Sequence, residues 1–135
     1  VRNNPGVFRG FHYQTRAPMR KAVFCVEGLI RDFAIDLKTG QLRQEVLTPD
    51  TNGVLVGAKE AHGYFSPGAS TVVYFYDKPF LKDKQSGINP VQFLKNFGIH
   101  AILSDSDGAL PVWTPPKSPS SQAPQPLSTD ALTAP

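Results

Sequence analysis

Cysteine, long apolar runs and helical patterns are nearly missing from this 135-residue sequence. The single cysteine, Cys25 in "KAVFCVEG", is expected to be a small buried apolar residue, and one cysteine excludes a disulfide or a cysteine-based zinc site within the chain. No apolar run approaches the roughly 18 residues of a membrane span, and no apolar stretch follows the polar first residues as it would in a signal peptide. We therefore expect a cytoplasmic protein without membrane contact.

Acidic residues are missing from the first part of the chain, although the net charge of the whole sequence is only +3. The residues that carry positive charge before the first acidic residue, Glu27, are Arg2, Arg9, Arg16, Arg20 and Lys21. This uneven distribution favours an anionic ligand. Because the basic residues form neither a run nor a helical stripe, and no nucleic-acid-binding signature accompanies them, we do not expect nucleic acid to be that ligand.

The C-terminal segment differs in composition from the rest of the chain. From Pro111 onward it contains seven of the 13 prolines, and after Trp113 it offers almost no side chains that could join a core. We therefore predict one folded domain over residues 1–111 and a Pro/Ser-rich disordered tail over residues 112–135.

Alternation of apolar and polar residues predicts an almost entirely β structure. The predicted strands cover residues 6–14, 21–27, 29–37, 42–48, 53–57, 61–66, 70–77 and 99–103, and turn compositions such as "KTGQ" and "SPGAS" separate them. The segment "NPVQFLKNFG" predicts one short helix near the C-terminal end. About eight short strands are typical of a barrel or a double-sheet jelly roll, whose mouth is the usual place for a small ligand.

The stretch "GVFRGFHYQ" places chemically active residues in an otherwise apolar strand. Strand parity puts His12 on the face of Gly10 and Gln14, and it puts Arg9 on the opposite face. A glycine inside a strand often marks a bulge, and a bulge at Gly10 would turn Arg9 and His12 to the same side. The sequence permits this arrangement without requiring it.

A metal site is not expected. The histidines are His12, His62 and His100, and neither of the first two lies in the His-x-His pattern that metal-binding barrels commonly use. His100 has no polar neighbours in sequence and is expected to be structural. We predict neither a metal nor another cofactor.

Several segments taken together resemble one known family. "GVFRGFHYQ", "RKAVFCVEGLIRDFAIDLKTG", "AHGYF", "TVVYFYD", "GINP" and "ILSDSDGALP" occur in the order and near the spacing of the dTDP-4-dehydrorhamnose 3,5-epimerases. The resemblance extends from about Val1 to Pro111. It implies a cupin-type double-stranded β-helix, or jelly roll, and a nucleoside-diphosphate 4-keto-6-deoxy sugar as the substrate.

The resemblance also implies roles for individual residues. It implies that His12 is the general base, that Asp107 pairs with this histidine, and that Tyr74 is the general acid on the opposite face of the sugar. The residues it implies in substrate binding are Arg9, Gln14, Lys21 and His62. It further implies a homodimer. The sequence resembles a short form of the family, because it lacks the strands that usually precede the first motif and swap into a partner subunit to complete its nucleotide pocket.

The expected chemistry accounts for these residue types. A proton on carbon beside a ketone is weakly acidic, so its removal needs a base with a pKa near the working pH and a group that stabilises the enolate oxygen. A carboxylate on the second ring nitrogen of His12 would fix the tautomer, and a tyrosine hydroxyl can return a proton from the other face. The sequence leaves open whether Lys21 or Arg9 contacts the enolate or the diphosphate.

Departures from the family pattern leave alternatives open. Phe80 occupies the position where the family often has a second active-site tyrosine, and the proline that usually precedes Ala-His-Gly is replaced within "VGAKEAHG". The alternatives are a non-catalytic sugar-binding cupin, a metal-dependent cupin enzyme, and a sugar ketoisomerase of the same superfamily, which typically has His-x-His where this chain has "HYQ".

Overall fold

The computed structural model describes residues 1–16 and 18–115 of the chain. The strands in the described part are β1 (Arg2–Asn3), β2 (Val7–Gln14), β3 (Lys21–Glu27), β4 (Ile30–Asp36), β5 (Leu42–Leu47), β6 (Val54–Val56), β7 (Glu60–Ser66), β8 (Ser70–Tyr76) and β9 (Gln85–Gly87). Two short helices, α1 (Val91–Asn96) and α2 (Asp105–Gly108), and a 3₁₀ turn over Lys82–Lys84 complete the described elements.

The strands form two antiparallel sheets that face each other. One sheet has the order β1-β8-β3-β6 and the other has the order β5-β4-β7-β2-β9. This two-sheet architecture confirms the predicted all-β jelly roll. The seven predicted strands between residues 6 and 77 are confirmed, with ends that differ from the prediction by one residue at most.

Both faces of the five-stranded sheet are buried, because helix α1 covers the face that the other sheet does not. On β4 the inward face carries Ile30 and Asp32, and the outward face carries Phe33 and Ile35. The inner core between the sheets is made of Val23, Cys25, Ile30, Leu47, Val54, Val56, Tyr64 and Val72. Cys25 is buried as expected.

Phenylalanines fill the layer between the five-stranded sheet and α1. Phe33 lies 4.8 Å from Phe93 in an edge-to-face contact, and Phe11 lies 4.9 Å from Phe93, both measured between ring centroids. Aromatic pairs at such distances contribute about 0.5–1.5 kcal/mol beyond the area they bury. Helix α1 confirms the helix predicted in "NPVQFLKNFG". Its buried face packs on the sheet and stabilises it there.

The predicted strand over residues 99–103 is wrong. Only Ile102 pairs with the sheet, through an isolated parallel bridge to Val7, and its side chain is 62% exposed. Ile99, Ala101 and Leu103 pack against the outer core, so the alternation reflects one buried side of the segment without the strand pairing that was predicted. The sequence analysis also missed β1, β9 and helix α2, because elements of two to four residues are too short to show a period.

The described chain continues past the predicted domain boundary at residue 111. Trp113 packs against the outer aromatic layer, next to the turn that contains Gly40. The rest of the predicted tail, residues 116–135, lies outside the described residues. Within residues 1–16 and 18–115, no helix is both long enough and apolar enough to cross a membrane.

Candidate active site

A cavity of about 220 Å³ opens at one end of the jelly roll, between the two sheets. The five-stranded sheet contributes residues from β2, β7 and β9, and the four-stranded sheet contributes residues from β3 and β8. The lining residues are Val1, Arg9, His12, Met19, Lys21, His62, Tyr74, Tyr76, Phe80 and Gln85. Five of the seven predicted site residues therefore line one cavity, and Asp107 reaches it through His12.

A β-bulge at Gly10 brings Arg9 and His12 to the same side of β2. Arg9 lies opposite Tyr64 and His12 lies opposite His62, so three steps along β2 correspond to two steps along β7. The extra residue reverses the parity of the strand. The bulge that the sequence permitted is thus confirmed.

Glycine is required at the bulge for two reasons. Gly10 has a φ of +130°, a conformation that side chains with a Cβ rarely adopt. A Cβ at this position would also lie 2.6 Å from the Cα of Gly63 on the neighbouring strand. The same shift turns both Phe8 and Phe11 outward, where their rings meet edge to face at 5.3 Å.

The short helix α2 supplies a carboxylate to His12. The Asp107 backbone N–H donates to the hydroxyl of the capping Ser104 over 3.1 Å, which fixes the first turn. Asp107 Oδ1 lies 2.6 Å from His12 Nε2, and its Oδ2 accepts the Gly10 backbone N–H over 3.1 Å. Since the carboxylate can only accept, Nε2 carries the proton and Nδ1 is left as the basic nitrogen of His12.

Electrostatics favour the charged form of Asp107. Burial acts to raise its pKa, but the hydrogen bond and charge of His12, together with the Gly10 N–H, hold the pKa of Asp107 below its ordinary value. The histidine side chain is 33% exposed, whereas the Asp107 side chain is 8% exposed. His12 is therefore open to a ligand in the cavity while its partner is shielded.

Tyr74 and Lys21 lie on the sheet opposite His12. Burial, followed by the neighbouring Tyr64, raises the pKa of Tyr74 well above its ordinary value, so its hydroxyl keeps its proton at neutral pH. The Lys21 ammonium lies 5.0 Å from the centroid of the Tyr74 ring. Burial lowers the pKa of Lys21 to about 8, and the charge of Asp32 opposes this shift.

A second histidine–carboxylate pair forms the floor of the cavity. His62 Nε2 lies 2.5 Å from Asp32 Oδ1, and their side chains are 2% and 0% exposed. Burial, and then the charge of Lys21, lower the pKa of His62, so this imidazole is neutral. The sequence analysis did not select Asp32, although a carboxylate on the same face as Ile30 and Ala34 was a signal for it.

Asn3 is another residue that the sequence analysis missed. Its side-chain oxygen accepts hydrogen bonds from Arg9 Nε over 2.6 Å and from the Tyr64 hydroxyl over 3.1 Å, and its amide nitrogen donates to the Ser70 hydroxyl over 3.1 Å. These bonds fix the direction of the Arg9 guanidinium. Asn3 belongs to the two-residue strand β1, which gave no periodic signal.

Aromatic rings form one wall of the cavity. Tyr74 stacks on Tyr76 at 5.9 Å, and Tyr76 lies 5.8 Å from Phe80. Gln14 lies outside this cavity and is buried, and its side-chain oxygen accepts the Leu81 backbone N–H over 3.2 Å. Gln14 thereby holds the segment that follows Phe80.

The described residues contain no group of three or more His, Cys, Asp or Glu side chains that could hold a metal ion. What the cavity contains is a basic nitrogen on one sheet, a protonated phenol on the other, and a cation beside the phenol. This combination can remove a proton from carbon on one face and return a proton to the opposite face. Fold and site together define a jelly-roll protein with a site for proton transfer at carbon.

The family model of dTDP-4-dehydrorhamnose 3,5-epimerase matches residues 1–114 of the chain. The chain belongs to this family of isomerases. The resemblance found in the sequence motifs is thus confirmed. A search of curated protein sequences found no match to the chain.

Solved structures of epimerases share the fold. The chain is 28% identical to dTDP-4-dehydrorhamnose 3,5-epimerase from Bacillus anthracis, with a TM-score of 0.70, and the match covers 84% of this chain and 74% of that one. The enzyme of the same name from Elizabethkingia anophelis is 25% identical, with a TM-score of 0.73 and coverage of 84% and 69%. An epimerase from Legionella pneumophila is 20% identical, with a TM-score of 0.73 and coverage of 83% and 65%.

The geometry of the bulge generates a test of the site. Gly10→Ala should destabilise the protein by about 2 kcal/mol or more. The new Cβ would overlap the backbone of β7, and alanine would have to adopt an unfavourable φ. Gly68→Ala is the matched control, since a Cβ at that turn position meets nothing within 4 Å. Thermal unfolding measured by circular dichroism compares the two variants. Equal melting temperatures would show that the bulge tolerates a side chain.

Proposed function

We propose that this chain epimerises a nucleoside-diphosphate 4-keto-6-deoxy sugar at C3, C5 or both, through an enolate. Family membership supports the reaction class. The observation that carries the assignment of residues is the His12–Asp107 pair, which faces the protonated Tyr74 across the cavity.

The substrate class is supported by what the similar structures contain. The Bacillus anthracis protein was solved with TDP and pyrophosphate bound, and the Legionella pneumophila protein was solved with dTDP-4-keto-L-rhamnose. We therefore propose a dTDP-linked sugar for this chain. Arg9 and Lys21 provide positive charge in the cavity for the diphosphate or the developing enolate.

Proton abstraction is assigned to His12. Its Nδ1 takes the proton from the carbon next to the C4 ketone, and the electron pair of that C–H bond moves to the ketone oxygen to give an enolate. Asp107 stabilises the imidazolium that forms and keeps the ring in the required tautomer. The negative oxygen is stabilised by Lys21, whose ammonium lies 5.0 Å from the centroid of the Tyr74 ring.

Reprotonation is assigned to Tyr74. Its hydroxyl donates a proton to the opposite face of the same carbon, the C4 carbonyl re-forms, and the configuration of that carbon is inverted. The products of the step are a tyrosinate and an imidazolium, and proton exchange with water restores both groups. His62, neutral and on the cavity floor, is assigned to hydrogen bonding with the sugar, and Gln14 is assigned to shaping the binding site through the Leu81 segment.

Three substitutions test these roles with dTDP-4-keto-6-deoxyglucose in heavy water. His12→Ala should abolish deuterium incorporation, because it removes the base. Asp107→Asn should reduce incorporation by about ten- to ten-thousand-fold, since the imidazole remains while its tautomer is no longer fixed. Tyr74→Phe should retain exchange and lose inversion, because the base still works. NMR reports the position of the label and the configuration.

His100→Ala is the control for the histidine substitution, because His100 is exposed and lies outside the cavity. Undiminished exchange in His12→Ala would place the base elsewhere. Tight binding of the nucleotide sugar without any exchange in the native protein would favour the alternative of a non-catalytic sugar-binding cupin. Transfer of the carbonyl to another carbon would favour the ketoisomerase.

We propose that the reaction needs no metal and no other cofactor. The proposed steps use only side chains of the cavity. Purified protein should therefore contain no stoichiometric transition metal, and EDTA should leave the rate of epimerisation unchanged. About one zinc, iron or nickel ion per chain by elemental analysis, with loss of activity on chelation, would instead support a metal-dependent cupin.

The cytoplasmic location also remains a prediction.

We propose a homodimer that buries the outer face of the four-stranded sheet. That face presents apolar side chains on adjacent strands: Phe24 and Val26 on β3, Leu55 on β6 and Phe75 on β8, which are 37%, 46%, 77% and 62% exposed. Phe24 and Phe75 form an edge-to-face pair at 5.8 Å. A continuous apolar face of this kind is typical of an interface.

Light scattering after size-exclusion chromatography tests the dimer. The native chain should elute at twice the monomer mass, and Phe75→Lys should shift the protein to monomer because it places a charge in the apolar face. Val46→Lys serves as the control, since Val46 is similarly exposed at 54% but belongs to the edge strand β5 of the other sheet. A monomeric native chain would contradict the proposal.

A further inference from the structure

Asp32 is buried more deeply than any other charged residue that borders the candidate site. It lies in the middle of β4, it points between the sheets, and none of its surface is exposed. Its neighbours on the same face of the strand, Ile30 and Ala34, are apolar and also fully buried. A carboxylate in such surroundings carries a large desolvation cost, so a packing role alone does not account for it.

The two oxygens of Asp32 differ in their contacts. Oδ1 accepts the hydrogen bond from His62 Nε2. Oδ2 has no hydrogen-bond partner within residues 1–16 and 18–115, although it is buried. Oδ1 therefore orients the imidazole of His62, whereas Oδ2 makes no direct contact that would offset the negative charge of the carboxylate.

The negative charge of Asp32 acts on the pKa of Lys21. Lys21 lies on β3, in the sheet opposite β4, and it lines the same cavity as His62. Burial alone would favour loss of its proton, and the negative charge of Asp32 acts in the other direction. The proposed chemistry needs this side chain in its charged form, because a neutral amine stabilises an enolate much less.

We propose that Asp32 is a positioning residue of the active site, which orients His62 through one carboxylate oxygen and keeps Lys21 cationic through the charge on the other. This inference rests on the proposed function. Because Asp32 accepts from Nε2, His62 is held with Nδ1 free to accept a hydrogen bond from a sugar hydroxyl. Asp32 thus acts on the substrate through two residues, while none of its own surface is exposed to the cavity.

The pH dependence of the reaction carries the signature of this arrangement. Lys21 must be protonated, so its contribution to the rate is complete well below its pKa of about 8 and is lost as the pH rises through that value. Removing the charge of Asp32 lowers this pKa and moves the alkaline limb to lower pH. The titratable and charged groups that surround Lys21 are Arg9, His12, Asp32, Glu60, His62, Tyr74 and Tyr76.

Asp32→Asn is the decisive variant because it removes the charge and keeps the shape. We expect the alkaline limb of the deuterium-exchange rate to move down by about one pH unit. At pH 8 this lowers the charged fraction of Lys21 from about one half to about one tenth, which is a roughly five-fold loss of rate from ionisation alone. Asp36→Asn, on the same strand but outside the cavity, should leave the pH profile unchanged.

A second measurement needs no substrate. NMR titration of the Lys21 side chain in the ligand-free protein should show the same downward shift in Asp32→Asn, and the nitrogen shifts of His62 should show loss of the single Nε2-protonated tautomer. If the native chain does not exchange protons with the sugar, the proposed function fails, while this titration still decides the role of Asp32. An unchanged Lys21 titration and an unchanged alkaline limb would overturn the inference.

Folding of the variant is controlled by its melting temperature and circular dichroism spectrum. If Asp32→Asn is recovered only unfolded, Asp32→Ser, which is smaller and also uncharged, is titrated in its place. Failure of both variants to fold would assign Asp32 to the stability of the barrel and would overturn the positioning role.

Discussion

The bulge at Gly10 is the constraint on which the candidate site depends. A regular strand would send either Arg9 or His12 into the outer aromatic layer, where neither charge nor basicity could act on a ligand. One extra residue in β2 turns both into the cavity and sends Phe8 and Phe11 together into the layer that α1 covers. The close approach of β2 to β7 at this point is possible because glycine also occupies position 63, where a Cβ would lie 2.7 Å from the ring of Phe8. Catalytic geometry and outer-core packing are thus set by the same backbone irregularity.

Two histidine–carboxylate pairs in one cavity have different properties because they lie at different depths. His12 is partly exposed and its carboxylate partner is anchored on a short capped helix, which suits a group that gains and loses a proton. His62 is almost fully buried, and burial keeps it neutral. This difference in environment supports the proposal that the first pair transfers protons and the second positions other groups. Lys21 is coupled to both members of the second pair. Its positive charge disfavours protonation of His62, and the negative charge of Asp32 favours protonation of Lys21.

Phe80 stands where the family often has a tyrosine, and the aromatic wall shows which property of that side chain is kept and which is lost. Phe80 continues the row of rings that begins with Tyr74 and Tyr76, so an apolar surface for a ligand is retained. A phenylalanine has no hydroxyl to donate a hydrogen bond or a proton. This supports the proposal that Tyr74 is the proton donor on the four-stranded sheet, whose other tyrosine in the described cavity, Tyr76, is 40% exposed.

The sequence by itself determined seven strands and the helix α1, because alternation is a local property. The five predicted residues that line the cavity were identified through short motifs that resemble those of a family. It predicted a pairing of His12 with Asp107 only through resemblance to a family, since 95 residues separate the two positions. The tertiary structure decided that a bulge forms at Gly10, that residues 99–103 make a single bridge, and that Asn3 and Asp32 belong to the site. The physical reason is that each of these features depends on contacts between distant segments. Periodicity within a segment carries no information about which buried polar groups will form hydrogen bonds with one another.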